Sequence, residues 1–213
     1  VKETEVWGFA RFGRAGQLEF WKNAGVHTVV GDCADSKYEG LPDDFDYVIH
    51  SAADTQPKSF EAGMRGNAEA PARLMAHCRK ARAFMHISTA AMYALHPDPH
   101  HEYTEEDPVG SAAQLHYEGT KLAGEGAVRG MSAYLGLPTV VCRLGIQYGS
   151  YRMGGLLGVI LKTILDGSPV LLPAAQPNIL RPISDHDAIR FLEPLLKAAS
   201  TPPLTVNLAG DED

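Results

Sequence analysis

The sequence predicts an α/β fold, a parallel sheet covered by helices on both faces, and three observations point there. Short apolar runs alternate regularly with stretches of helical pattern, as strands and crossover helices do. Within the helical stretches apolar residues recur three or four positions apart. A composition of 45% hydrophobic and 21% charged residues over 213 positions supplies the core of one globular domain.

The elements follow in order. Residues 5–10 read as a strand and 17–24 as a helix, followed by strands at 27–30 and 47–50 and a helix over 64–80. A strand at 83–88 precedes a helix over 114–135, and a strand at 139–143 precedes helices over 156–166 and 185–198. A late strand spans 205–208. Ser111 and Asp185 are placed to cap the helices that follow them. Residues 95–113 are rich in acidic residues, histidines and prolines, lack periodicity, and predict a surface loop of the kind that often serves a site. His100 and His101 stand beside Glu102 in it, but no third ligand follows at a suitable spacing, so no metal site is expected.

A formal charge of -7 and a pI near 5.7 argue against a nucleic-acid binder, which needs a basic face. No apolar stretch approaches the roughly 20 residues of a membrane helix, and no basic-then-apolar leader opens the chain, so a soluble, cytoplasmic protein is expected. Cys33, Cys78 and Cys142 are widely spaced with no CxxC pair, which fits a reducing compartment and packing roles.

Two local features carry chemistry. Tyr117 and Lys121 lie four apart in a helical stretch and so share a face, which lets an ammonium sit near a phenol and favour its ionised form. That is a use as a general acid or base; a chance pair on an exposed helix would look the same. In Phe84-Met-His-Ile-Ser88-Thr89 an apolar strand ends in two hydroxyls, at the sheet edge where α/β folds bind ligands. Such hydroxyls can equally cap the turn that follows.

Taken together, and in this order, Gly31-Asp32-Cys33-Ala-Asp35, Asp46-Tyr-Val-Ile-His-Ser-Ala-Ala53, Asn67, Ser88-Thr89 with Tyr93, Tyr117-x-x-x-Lys121, Arg143-Leu-Gly-Ile-Gln-Tyr148-Gly149 and Arg181-Pro-Ile-Ser-Asp-His-Asp187 resemble the extended short-chain dehydrogenases/reductases, also called the NAD-dependent epimerase/dehydratase family. The resemblance runs over nearly the whole chain. It implies a Rossmann-type doubly wound sheet, an NAD(P) cofactor and hydride transfer at a hydroxyl or carbonyl carbon. It implies that Tyr117 is the acid/base, that Lys121 binds the nicotinamide ribose and lowers the phenol's pKa, and that Thr89 bonds the reacting oxygen. Arg11, Asp32, Cys33, Ser51, Ala52, Ala53, Asn67, Ser88 and Leu144, with Tyr117 and Lys121, would surround the cofactor. Thr55 and Arg181 would meet the substrate, with a pair between Arg181 and Asp185 or Asp187 as the other reading. Arg11, with Arg14 close behind, stands where NAD-selective members place an acidic residue, which favours NADP(H).

The chain also departs from the family. The glycine-rich phosphate loop is not in its expected place. Gly8 to Gly16 contains glycines, but reading it as that loop leaves too little chain for another strand and helix before Asp32. Residues 5–10 are therefore read as the second strand, and the polypeptide is expected to be longer than the sequence in hand, with a small substrate-binding part interleaved near 150–185. Dehydratases carry an acidic pair where Ala90 and Ala91 stand, so epimerisation or simple carbonyl reduction is preferred. Ile146 replaces the usual asparagine, and the glycines expected before Arg181 are missing, so the substrate stays open between a nucleotide-sugar and a small alcohol or ketone. A homodimer through the helices of 64–80 and 114–135 is typical of the family. The rival reading is a binding or regulatory protein that keeps the fold without turnover.

Overall fold

The structure is a computed structural model in which residues 4–110, 116–149, 155–171 and 179–211 are described. Strand β1 (Trp7–Ala10), helix α1 (Gln17–Asn23) and strand β2 (His27–Val30) form one parallel unit. Strands β3 (Tyr47–His50), β4 (Ala83–Thr89), β5 (Thr139–Leu144) and β8 (Leu204–Leu208) form a four-stranded parallel sheet in the order β3-β4-β5-β8. β4 is buried along almost its whole length, as a central strand covered on both faces must be.

β3 pairs with β4, while β2 pairs only with β1 among the described strands. In the doubly wound order 3-2-1-4-5-6 this makes β1 and β2 the counterparts of strands 2 and 3. No described strand lies between β1 and β3. A cavity of about 290 Å³, lined by Trp7, Phe9, Tyr47, Ile49, Leu74 and Cys78 among others, opens there.

Each face of the sheet has its own core. Phe84, Val48 and Val141 pack against Leu74, Met75 and Val128, from helices α3 (Ala70–His77) and α4 (His116–Leu135). On the other face Met85, Val140, Cys142 and Leu208 meet Ala188, Leu192 and Leu195 of α6 (Asp185–Ala198). Cys78 and Cys142 are buried and unpaired in these cores, and Cys33 is half-buried. Short strands β6 (Gln147–Tyr148) and β7 (Ile183–Ser184) pair with each other, with α5 (Leu156–Leu165) between them in the chain.

The helix expected over 64–80 starts earlier and stops sooner. Its first turn, α2 (Phe60–Gly63), is capped by Ser59 Oγ, which accepts from Ala62 N at 3.1 Å. A π-helical stretch, Met64–Glu69, then runs into α3. Widening the turn leaves room for the buried Asn67, whose Nδ2 donates to the Asp54 carbonyl and to Thr120 Oγ1 and whose Oδ1 accepts from Asp54 N. Hydrophobic periodicity carries no mark of such an inserted residue. The wide turn also brings the Asn67 carbonyl against α4 at Gly124, where an added Cβ would lie 2.3 Å from that oxygen. Gly124→Ala is expected to destabilise the fold by about 2–3 kcal/mol, since backbone meets backbone there and neither side can yield cheaply. Urea unfolding of the variant checks it.

Asp185 is not the cap of α6. Ser184 Oγ accepts from Asp187 N and takes that place. The Asp185 carboxylate instead accepts from Gln147 Nε2 at 2.5 Å and lies under Gly149, whose positive φ of 147° brings bare backbone against it. Ser111 lies outside the described residues.

Candidate active site and dinucleotide cleft

The carboxyl ends of β3, β4 and β5 share one edge of the sheet, where open α/β sheets bind ligands. Helix α4 starts at this edge, after the loop from β4, and runs down to β5. Its buried Lys121, only 1% exposed, donates from Nζ to the Ile87 carbonyl of β4 at 2.7 Å. From Lys121 back to Tyr117 a helix rises about 6 Å. From Ile87 on to Thr89 a strand rises about 7 Å. The Lys121 bond ties the helix that carries the half-buried Tyr117 to the strand that ends in Thr89. Thr89 Oγ1 caps the short turn Ala90–Met92 by accepting from Ala91 N at 3.2 Å, which leaves its O–H to donate. Leu144 stands beside Thr89 in the β4–β5 register.

Strand alternation places Phe84, His86 and Ser88 on the face toward α4, and Val48 and His50 on the same face of β3. Above the apolar packing of Phe84 and Val48 this face becomes a buried polar layer. His50 and His86, register partners, stack with their Nδ1 atoms 3.2 Å apart, so one donates and the other accepts. Burial, and next the Lys121 charge, lowers His50 to a pKa of about 3 and holds His86 well below its usual range, so both imidazoles are neutral beside the ammonium. Burial also lowers Lys121 from 10.5 to about 8, and Glu125, one turn further along α4, opposes that shift. Ser88 Oγ and the Nε2 atoms of both histidines are buried without a protein partner among the described residues.

The next polar group is an ion pair that sequence reading missed. Arg143 bonds both carboxylate oxygens of Glu125 at 3.1 and 3.0 Å. Burial opposes its charge, and the hydrogen bonds with Glu125 and Tyr93 outweigh that, so its pKa is raised. A signal was present, because Glu125 follows Lys121 by one helical turn, but its partner lies 18 residues away and only the fold joins them.

A cavity of about 820 Å³ opens beside this edge, between the β1–α1 loop, the β2 end and the turn after β3. Of the residues expected around the cofactor, Arg11, Asp32, Cys33, Ser51, Ala52 and Ala53 line it. Arg11 is 76% exposed in its side chain and stands 3.7 Å from Asp32, whose Oδ1 accepts from Ala34 N. Burial, and next Asp32, raises Cys33 to about 11, so it is a packed thiol with no thiolate chemistry at neutral pH. Asn67 is not among the lining residues; its amide fixes Asp54, at the end of that turn, to Thr120 of α4. Thr55 is exposed just beyond the turn.

Arg181 Nη2 pairs with Glu102 of the long loop at 2.9 Å. Asp187 pairs with Ser184 and Arg190. In the same loop His101 bonds Asp107 at 2.9 Å and stacks on His96, and among the described residues no cluster of three metal-ligating side chains occurs. No described helix is long and apolar enough to cross a membrane.

The model of the NAD dependent epimerase/dehydratase family matches residues 2–180. No curated protein sequence matches the chain. Among solved structures, the UDP-glucuronic acid 4-epimerase of Bacillus cereus in complex with UDP-glucuronic acid and NAD superposes with a TM-score of 0.79 at 22% identity, over 98% of this chain and 70% of that one. A dTDP-glucose 4,6-dehydratase of Streptomyces venezuelae, a double mutant with NAD bound, gives 0.79 at 19% identity, over 99% and 68% of the two chains. The Bordetella bronchiseptica enzyme WbmG in complex with NAD and UDP gives 0.73 at 17% identity, over 96% and 64%.

Proposed function

Because the chain belongs to the NAD-dependent epimerase/dehydratase family, we propose that it is an NAD(P)-dependent oxidoreductase or epimerase acting at a hydroxyl-bearing or carbonyl carbon. Its substrate would be a nucleotide-sugar or a small secondary alcohol or ketone. The observation that carries this reading is the buried Lys121, whose Nζ bond to the Ile87 carbonyl ties the helix of Tyr117 to the strand that ends in Thr89.

The cleft suits a dinucleotide in chemistry as well as in size. Arg11 offers a guanidinium fork for a phosphate, the turn of Ser51, Ala52 and Ala53 presents small side chains and backbone, and Asp32 supplies an acceptor for a hydroxyl. Cys33 contributes its backbone, Asn67 holds the turn in place, and Ser88 and Leu144 border the reacting edge. The nicotinamide, when bound, accepts or returns a hydride. Tyr117 takes or gives the proton of the substrate oxygen at its phenol, and Thr89 donates a hydrogen bond to the same oxygen. Lys121 binds the nicotinamide ribose and favours the phenolate by its charge. Thr55 and Arg181 meet the rest of the substrate; an anionic group on it would displace Glu102 from Arg181. The UDP-glucuronic acid bound by the epimerase of Bacillus cereus supports the nucleotide-sugar alternative. Ala90 and Ala91, where dehydration needs an acid and a base, speak against water elimination.

Titrating NADPH and NADH fluorescence with the protein, followed by a panel of nucleotide-sugars and small ketones, tests the assignment. Binding with turnover of at least one substrate is expected. Binding without turnover across the panel would leave a dinucleotide-binding regulatory protein instead. Arg11 lines the cleft, and among the described residues its charged partner is Asp32 at 3.7 Å, a long contact that a 2'-phosphate could replace. Arg11→Ala is expected to weaken NADPH about tenfold, the effect of about 1.4 kcal/mol, and to leave NADH unchanged. Equal losses for both cofactors would remove the preference for NADP(H).

A further inference from the structure

We infer that Arg143 is a positioning residue for the helix that carries Tyr117 and Lys121, an inference that rests on the catalytic reading above. Its guanidinium joins α4, through Glu125, to the turn that follows Thr89, through Tyr93.

The junction is built from four hydrogen bonds. Nε and Nη2 donate to the two oxygens of Glu125 at 3.1 and 3.0 Å, and Nη1 donates to Tyr93 Oη at 2.9 Å and to the Glu105 carbonyl at 3.2 Å. Tyr93 Oη donates onward to Asn207 Oδ1 at 2.6 Å, which ties in β8. Asn207 N in turn donates to Glu105 Oε1 at 2.6 Å. The guanidinium carbon lies 5.0 Å from the centre of the Tyr93 ring, and both partners of the ion pair are buried, so water neither screens nor loosens it.

Geometry makes this a spacing device. Glu125 stands one turn beyond Lys121 on α4, and Tyr93 stands four residues beyond Thr89. One planar group therefore bonds side chains from both segments, Glu125 of α4 and Tyr93 after Thr89. A guanidinium fork has direction, and paired with a carboxylate on two bonds it fixes the rotation of α4 about its axis, which a point charge cannot do. The dependence is steep, because a displacement of about 1 Å in a reacting group can cost about 10²-fold in rate. A buried ion pair is weak evidence of a stabilising role, since two apolar residues of similar volume often support a fold equally well. Stability and spacing can therefore be separated by experiment.

The test uses the full chain with NADPH and the best substrate of the panel, and compares the wild type with Arg143→Lys, with Arg143→Ala given guanidinium ions, and with the double variant Arg143→Met/Glu125→Leu. The double variant is expected to melt near the wild type, to hold NADPH within about twofold, and to lose about 10²-fold in kcat with little change in KM. Arg143→Lys should also lose kcat, and guanidinium ions should restore part of the loss in Arg143→Ala. Wild-type kcat in the double variant overturns the inference. So does a kcat that follows the melting temperature across the series, or a double variant that does not fold, since the pair would then hold the fold and not a spacing. A wild type that turns over nothing contradicts the functional assignment alone. Hydrogen exchange at the amides of residues 117–121 then decides for Arg143. Faster exchange in the double variant supports positioning, and unchanged exchange overturns it.

Discussion

Tyr117→Phe is expected to lower kcat by about 10²–10⁴-fold, the range for loss of one acid/base group, while NADPH affinity stays within about twofold. The phenol oxygen is the only atom removed. Lys121, the Ile87 carbonyl and the lining of the cleft remain as they are, so the dinucleotide keeps its contacts. The loss should fall on kcat more than on KM, because proton transfer is made only in the transition state. Turnover at the wild-type rate would dismiss Tyr117 as the acid/base.

Lys121→Met should be more stable than the wild type at pH 7 and almost inactive. The lysine is buried, and burial brings its pKa from 10.5 down to about 8, a cost of about 3 kcal/mol for keeping it charged. Glu125 on the same helix offsets part of that cost, and the facing His50 and His86 are neutral and add no charge. Methionine removes the ammonium but leaves the Ile87 carbonyl without its donor, worth about 1 kcal/mol, so a net gain of about 2 kcal/mol is expected. The sign reverses with alkalinity. Below about pH 8 both folded and unfolded chains carry the proton and the penalty is complete. Between about 8 and 10.5 the folded chain has released a proton that the unfolded chain keeps, so wild-type stability rises with pH there. Urea unfolding at pH 7 and pH 10 should show the advantage of the variant shrinking at the higher pH. A methionine variant less stable at pH 7 would contradict the burial of a charged amine. The trade is one of stability against function.

Much of this was legible before any coordinates. The strands and helices announced themselves by period, and β4, apolar but for His86 until its two closing hydroxyls, pointed to the edge at which the reaction is proposed. The Tyr117 and Lys121 pair was visible because four residues make one helical turn. The hidden features are those made by register and packing between distant segments. His50 and His86 look like two isolated core histidines until β3 and β4 pair and bring 36 residues of separation down to one hydrogen bond. Arg143 and Glu125 meet only when α4 packs on β5. The π stretch at Asn67 answers to a carbonyl against Gly124 and an amide on Asp54, neither of which leaves a trace in hydrophobic period. Ser184 took the capping place from Asp185 because that carboxylate is drawn to Gln147 on a neighbouring strand.

A crystal structure of the protein with NADPH and a turnover-competent ketone or nucleotide-sugar tests the central assignment most directly. Tyr117 Oη and Thr89 Oγ1 are both expected about 3 Å from one substrate oxygen, with Lys121 Nζ on the nicotinamide ribose. A substrate oxygen bound away from both hydroxyls, or a nicotinamide outside the edge formed by β4 and β5, would contradict it.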